Sequence, residues 1–338
     1  MEKITLIACP LSEIGARLGN KELYVIFDRN VEGIVRGMGL SARGMLPIDA
    51  SERTKVPGTV VSLAAWLMEE GASREAFVLG VGGGITTDIV GFTASVYKRG
   101  VRFGFVPTTL LAQVDAAVGG KNGVNLDSYK NMLGTIRQSE MTFLCPEVLH
   151  TLPRKEIVAG AAELLKTFII DNQGGNYGKA VETLGSKEYD FEELGTLTEA
   201  AARIKAGIAG RDPFEKGERM KLNLGHTFAH AIEKLSAEGI SHGNAVSMGI
   251  ILAARLAEGM GFAREGLARR LTHDFERCTL PVECPYAPGE LASAMEKDKK
   301  ANGSIVHFVL PVDIGKVEIC DLGIGNVVGT LNHLQEQD

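Results

Sequence analysis

The sequence predicts a two-part α/β protein: a part built on a parallel sheet, followed by a mainly α-helical part. Three observations predict it. Short apolar runs alternate with helical periods as far as Pro153, the pattern of strands joined by crossover helices. A glycine run, Gly80-Val-Gly-Gly-Gly84, follows one apolar run directly, where parallel sheets place their ligand-binding turns. Beyond Leu152-Pro153 helical periods take over almost completely.

Taken in order, Leu23-Tyr-Val-Ile-Phe27 is a buried strand ending at Asp28. After Pro57, Thr59 to Gly71 carries apolar residues at helical spacing and stops on glycine, a normal helix terminus. Ala76-Phe-Val-Leu79 is the strand that runs into the glycines, Thr87 to Tyr97 a helix, and Arg102-Phe-Gly-Phe-Val106 a strand closed by Pro107. The second part offers helices over Lys155 to Ile170, Phe191 to Ala209, Thr227 to Ser236, Ala245 to Gly259 and Glu265 to Phe275. Only Ile305 to Leu310 and Val317 to Cys320 have strand character there, as a hairpin around Gly315.

Composition narrows the function. A chain of 338 residues gives about two domains at ~150 residues each. With 45% hydrophobic and 23% charged residues it can fill sizeable cores, which excludes a largely disordered chain. One Trp, 6% aromatics and a net charge of −6 argue against base stacking, duplex DNA and anionic membrane as partners. The five cysteines are odd in number, scattered and without a CxxC pair. They read as reduced thiols, not as a disulfide framework or thiolate metal site. The N-terminal residues lack signal-peptide character, and no apolar stretch nears the roughly 18 residues of a membrane span. The expectation is a soluble cytoplasmic protein.

Three features can carry chemistry. Bare backbone in Gly80-Val-Gly-Gly-Gly-Ile-Thr-Thr-Asp88 lets a pyrophosphate approach a helix N-terminus. Ile85 stands where the last glycine of G-x-G-x-x-G belongs, so a plain tight turn remains an alternative. Asp28, at a strand end, can accept from ribose hydroxyls or simply begin a turn. Three of the seven histidines, His226, His230 and His242, fall within one short stretch, and the first two share a helix face. Two of them plus a distant carboxylate, such as Glu163, make a three-ligand catalytic zinc site. Spacing leaves open which two bind, and whether they are surface histidines without metal. Lys121, Lys130, Asn131, Lys166, Lys205, Arg219 and Asn223 form a dispersed polar set suited to an anionic substrate if they converge.

These residues resemble the 3-dehydroquinate synthases of the sugar-phosphate cyclase superfamily. The matching stretches are Gly82-Gly-Gly-Ile-Thr-Thr-Asp-Ile-Val-Gly-Phe92, Lys98-Arg-Gly100, Val106-Pro-Thr-Thr-Leu-Leu-Ala-Gln-Val-Asp115, Gly119-Gly-Lys121 and Lys130-Asn131. They continue through Ala162-Glu-Leu-Leu-Lys166, Arg219, Leu222-Asn-Leu-Gly-His-Thr227, His230-Ala-Ile-Glu233, His242-Gly243 and Asp298-Lys-Lys300. The chain departs from the family pattern at Tyr129, at Gln138-Ser139 and at Ala229, and the segment from Lys121 to Cys145 is atypical.

The resemblance implies an N-terminal Rossmann-like NAD-binding domain over residues 1–152. A mainly helical, metal- and substrate-binding domain would follow over 153–338. It implies Glu163, His226 and His242 as ligands of a divalent metal, zinc or cobalt. Asp28, Glu52, Lys55, Gly83, Gly84, Asp88, Thr108, Thr109, Thr151 and Leu152 match NAD-contacting positions, with Lys121 and Lys130 beside them. Asp115, Lys130, Lys205, Arg219, Asn223 and one of Lys299 and Lys300 match substrate contacts; Arg99, Lys121, Asn131, Lys166 and His230 match the catalytic set. The implied reaction converts 3-deoxy-D-arabino-heptulosonate 7-phosphate to 3-dehydroquinate and phosphate, in a homodimer. Its steps are transient oxidation by NAD, phosphate elimination, reduction, ring opening and aldol closure. The alternatives are another sugar-phosphate cyclase or a metal-dependent polyol dehydrogenase.

Overall fold

The computed structural model describes residues 4–127, 129–236, 239–298 and 305–335. The chain divides into two compact units, Met1–Ile157 with Phe191–Phe214, and Val158–Asp190 with Glu215–Asp338.

The first unit carries β1 (Leu6–Ala8), α1 (Ile14–Leu18), β2 (Leu23–Asp28), α2 (Glu32–Gly37), β3 (Gly44–Ile48), α3 (Pro57–Glu69) and β4 (Phe77–Gly82). There follow α4 (Gly84–Val96), β5 (Arg102–Pro107), β6 (Lys121–Leu126), β7 (Tyr129–Ile136) and β8 (Met141–Leu144). Six strands form one parallel sheet in the order β1-β8-β5-β4-β2-β3. The central strands are unbroken apolar runs because both their faces are covered. Tyr24, Ile26, Val78, Phe103 and Phe105 are buried there with Leu63 and Leu67 of α3 and Ile89 and Val90 of α4. From β2 the chain steps outward to β3, then returns to the other side of β2 and proceeds through β4 to β5. The sheet therefore reverses direction between β2 and β4, the place where doubly wound sheets open a crevice at their strand ends.

The helix expected from Thr87 begins at Gly84, because the last glycine of the run opens its first turn, with Gly83 as the cap. The segment flagged as atypical holds an antiparallel hairpin, β6 with β7, that the periodicity did not indicate. Every residue of β7 but one is exposed, so no inward face marks the strand in the sequence.

The second unit takes most of α5 (Arg154–Ile170), then α6 (Asn176–Gly185); α7 (Phe191–Arg211) returns to the first unit. α7, expected in the C-terminal part, packs against β1 and the turns at residues 112–116 and 146–151. The chain then builds α8 (His226–Leu235), α9 (His242–Gly259), α10 (Leu267–Arg277), α11 (Pro288–Asp298), the hairpin β9 (Ile305–Asp313) and β10 (Lys316–Gly323), and α12 (Ile324–Gln335). α9 is the axis of this unit, buried on most of its faces and contacting α8, α10, α12 and β9. An apolar helix surrounded by other elements has this all-round hydrophobicity. The expected Gly315 hairpin is present; α6, α11 and α12 went unread in the sequence.

Candidate active site

Among the described residues the charged side chains that are buried are Lys55, Glu163, Lys166, Lys205 and Arg219. Each belongs to the set singled out from the sequence. Burying a charge costs several kcal/mol unless partners compensate it, so the positions identify where the protein keeps charge for a purpose.

In the second unit, Glu163 and Lys166 lie one turn apart on α5, with Lys166 Nζ 2.5 Å from Glu163 Oε2. His226 is the first residue of α8, and His242 the first of α9. Two glycines bring these three elements together. Gly225, at φ 79°, is in the left-handed region, and a Cβ on it would sit 2.7 Å from Ile250 of α9. A Cβ on Gly243 would sit 2.0 Å from the Ala159 carbonyl oxygen of α5. The result is a cluster in which Glu163, His226 and His242 each offer a ligand atom within 4.8 Å of the others.

The imidazoles are oriented for this. His226 Nδ1 lies 3.2 Å from the Leu224 carbonyl, leaving Nε2 at 3.5 Å from Glu163 Oε1. His242 Nδ1 faces Glu233 at 3.5 Å while its Nε2 also lies 3.5 Å from Glu163 Oε1. Nδ1 contacts to a carbonyl or carboxylate fix the tautomer that presents Nε2 to a metal. Burial opposes ionisation of Glu163, yet Lys166 and the two histidines hold it well below the usual carboxylate range. Burial and the Lys166 charge push His226 down to about 3. Burial works against charge on His242, but Glu163 and Glu233 raise it to about 10. A metal held by His242 Nε2 would displace that proton.

Both Glu163 oxygens are buried without a hydrogen bond of normal geometry. A carboxylate in that state and two Nε2 atoms form the N₂O donor set of three-ligand zinc centres. The cluster excludes His230, whose ring stacks edge-on against His226 at 5.6 Å. Close by in the chain, Arg219 is buried in the turn Glu218–Asn223, and Asn223 Nδ2 donates to Glu215 Oε1. Glu215, at φ 56°, was missed in the sequence, as was Glu233. A non-glycine residue at positive φ beside candidate ligands is the kind of signal only coordinates give.

In the first unit, Gly83 caps α4 and Gly84 begins it, at the end of β4 beside the sheet reversal. The backbone is tightly approached here: a Cβ on Gly84 would sit 3.0 Å from Ala116, and one on Gly83 3.2 Å from Thr109. The free N–H groups of this helix start suit an anion. Thr108 donates its N–H to Gly82 O at 2.9 Å, and Thr109 Oγ1 accepts from Ala112 N. Asp28, across the reversal point, accepts from Asn30 N and Nδ2, so it is at least a turn-former.

A second polar cluster lies in this unit. Lys55 Nζ donates to Asp88 Oδ2 at 2.5 Å and to Asn131 Oδ1 at 2.6 Å. Burial raises Asp88 to about 6 despite the Lys55 charge. With Oδ1 engaged, the amide NH₂ of Asn131 remains as donor, and Asn131 stands at φ 52°. Lys205 Nζ, from α7, donates to the Asp115 carbonyl at 2.8 Å and to its carboxylate, at the π-helical turn Ala112–Ala116. Arg99 is exposed at φ 69°, Lys121 and Lys130 are exposed on the hairpin, and Thr151 bonds locally to Val148 O. Leu152 ends that same short turn. Lys299 and Lys300 lie outside the described residues.

Comparisons with known proteins agree with this layout. Residues 45–159 match the family described as 3-dehydroquinate synthase N-terminal, and residues 160–301 match 3-dehydroquinate synthase C-terminal. A 3-dehydroquinate synthase of Pyrococcus abyssi is 41% identical over 275 residues, 81% of this chain and 80% of the relative. One of Dictyoglomus thermophilum is 34% identical over 300 residues, covering 88% and 82%. Among solved structures, 2-epi-5-epi-valiolone synthase from Streptomyces hygroscopicus with NAD+ and Zn2+ bound superposes with a TM-score of 0.84 at 26% identity, covering 99% and 98%. A 2-deoxy-scyllo-inosose synthase complexed with carbaglucose-6-phosphate, NAD+ and Co2+ shares the fold at a TM-score of 0.86 and 23% identity, covering 97% and 96%. With both halves matched in order and relatives this similar along most of their length, the chain belongs to the 3-dehydroquinate synthase family.

Proposed function

We propose that this protein is a 3-dehydroquinate synthase, a phosphate-eliminating cyclase that uses NAD catalytically together with a divalent metal. The observation that carries the reading is the set of buried charges. Lys55, Glu163, Lys166, Lys205 and Arg219 are buried, and the resemblance assigns each of them to NAD, metal or substrate. A substrate bearing carboxylate and phosphate gains charge-assisted hydrogen bonds from such cations that a neutral sugar does not.

Glu163, His226 and His242 would hold the metal, and Gly83, Gly84, Asp28, Glu52 and Asp88 would hold NAD. When bound, the metal supplies Lewis acidity toward substrate oxygens and NAD supplies a reversible hydride acceptor. Arg219, Lys166, Lys205 and Asn223 bind and orient the carboxylate and ring hydroxyls, charge-assisted bonds being the strong ones. Arg99, Lys121, Asn131 and His230 engage the phosphate, and holding it close to the carbon that loses a proton is itself catalytic. Glu233 keeps His242 in its working tautomer. The reading carries with it a cytoplasmic homodimer acting on a small phosphorylated sugar acid. No described helix is long and apolar enough to cross a membrane.

The test is phosphate release from 3-deoxy-D-arabino-heptulosonate 7-phosphate by zinc-loaded protein with substoichiometric NAD, while NADH absorbance is followed. Many phosphates per NAD, no net NADH and 3-dehydroquinate as product are expected. The valiolone synthase likeness favours a second reading, a cyclase for another sugar phosphate; turnover only with such a substrate would establish it. Stoichiometric NADH accumulation would instead make the protein a polyol dehydrogenase.

A further inference from the structure

The hairpin β6–β7 is irregular at one point. Val124 pairs with Leu133 and Leu126 with Tyr129, so Lys130, Asn131 and Met132 bulge opposite the single residue Asn125. Bulges re-aim side chains, and they need something to fill and fix them. Asn125 does both. It is 8% exposed, whereas Glu52 and Asn131 on either side of it are exposed. Its Oδ1 accepts from the Asn131 N–H at 2.9 Å, and its Nδ2 donates to Glu52 Oε2 at 2.8 Å. Its own N–H donates to the Lys55 carbonyl at 2.8 Å. The amide orientation is unambiguous, since one neighbour is a donor and the other a carboxylate.

We propose that Asn125 is a positioning residue: one buried amide sets the left-handed turn at Asn131 and the carboxylate of Glu52 together. Resting on the reading above, this makes the phosphate-side residue and the NAD-side residue depend on a single side chain. Asn131 is then held at two points, by Asn125 on its N–H and by Lys55 on its side-chain oxygen. A left-handed asparagine is tolerated but not preferred. Without the amide acceptor only the Lys55 bond to its side chain remains to keep it there.

The two bonds can be separated by substitution. Asn125→Ala removes both, and is expected to raise KM for the sugar-acid phosphate and Kd for NAD at least tenfold each, with kcat changed less and zinc content intact. Asn125→Asp preserves shape and the acceptor for Asn131 but sets a carboxylate against Glu52. It is expected to weaken NAD about tenfold while KM for substrate stays within about threefold. Adding Glu52→Gln to Asn125→Asp restores a donor to that contact, and the double variant is expected to bind NAD better than Asn125→Asp alone. A double variant no better than the weaker single one, or an Asn125→Asp substitution that raises KM as much as Asn125→Ala, overturns the proposal. Asn131→Ala and Glu52→Ala serve as references. If they leave KM and NAD affinity unchanged, the underlying site reading fails; if they impair both and Asn125→Ala does not, this inference alone fails.

Discussion

Gly243 and Ala159 meet so closely that a single methyl group on the glycine would lie 2.0 Å from the alanine carbonyl oxygen. The start of α9 is thereby seated on α5, and His242 comes to lie beside Glu163. Gly243→Ala should cost stability by about 1–3 kcal/mol or more, as overpacking does, and should lower zinc content in the purified protein. Gly178→Ala is the comparison: nothing lies near that position inside α6, so a gain of about 0.5–1 kcal/mol is expected. Urea unfolding and metal analysis of both variants check the pair.

The three histidines should separate by metal content. His226→Ala and His242→Ala should each abolish tight zinc binding, whereas His230→Ala should retain it while losing activity. Glu233→Gln should weaken zinc about 10–100-fold, the usual effect of removing a carboxylate behind a ligand. Full zinc occupancy in His226→Ala would remove it from the ligand set.

Arg219→Ala should act on substrate alone. Losing a buried charge-assisted contact costs about 1.5–3 kcal/mol, roughly 10- to 150-fold in KM. NAD affinity, measured by titration of the metal-loaded protein, should stay within about twofold. An unchanged KM would count against the role given to this buried guanidinium.

Asp88 gives a pH signature. Burial lifts its carboxyl from 3.8 to about 6, against the Lys55 charge. Within that window the native state holds a proton that the unfolded chain has released, so stability falls as pH rises, and the cost is complete above about 6. Asp88→Asn removes this dependence. Relative to the parent protein, the variant should gain up to about 3 kcal/mol between pH 4 and pH 7, read by urea unfolding without NAD. A difference that is flat with pH would show that the burial at Asp88 is relieved in solution.

The parallel sheet was legible because β2, β4 and β5 are unbroken apolar runs closed by Asp28, the glycines and Pro107. The hairpin β6–β7 was not, since its order comes from side-chain amides. Asn122 donates to Gly120 O and Arg137 O at 2.9 Å each, and Asn125 fills the bulge. Such bonds leave no periodicity. The histidine spacing announced a cluster but left its members open; the turn that starts α9 at His242 is what groups that residue with Glu163 and His226 instead of His230. Glu215 and Glu233 escaped notice because acidic residues are common and only their partners distinguish them. The place of α7 was invisible for a different reason: a helical period tells which face is buried, not which unit buries it.

That last feature bears on how the protein is made. Because α7 belongs with the sheet, the chain passes from one unit to the other after Ile157, again after Asp190 and a third time after Phe214. During synthesis the sheet strands all emerge before α7, and the Asp115 carboxylate waits for Lys205, ninety residues later in the chain. A fragment ending at Ile157 would therefore lack the helix that packs on β1 and the Lys205 cation that pairs with Asp115. No single cut separates this chain into its two units.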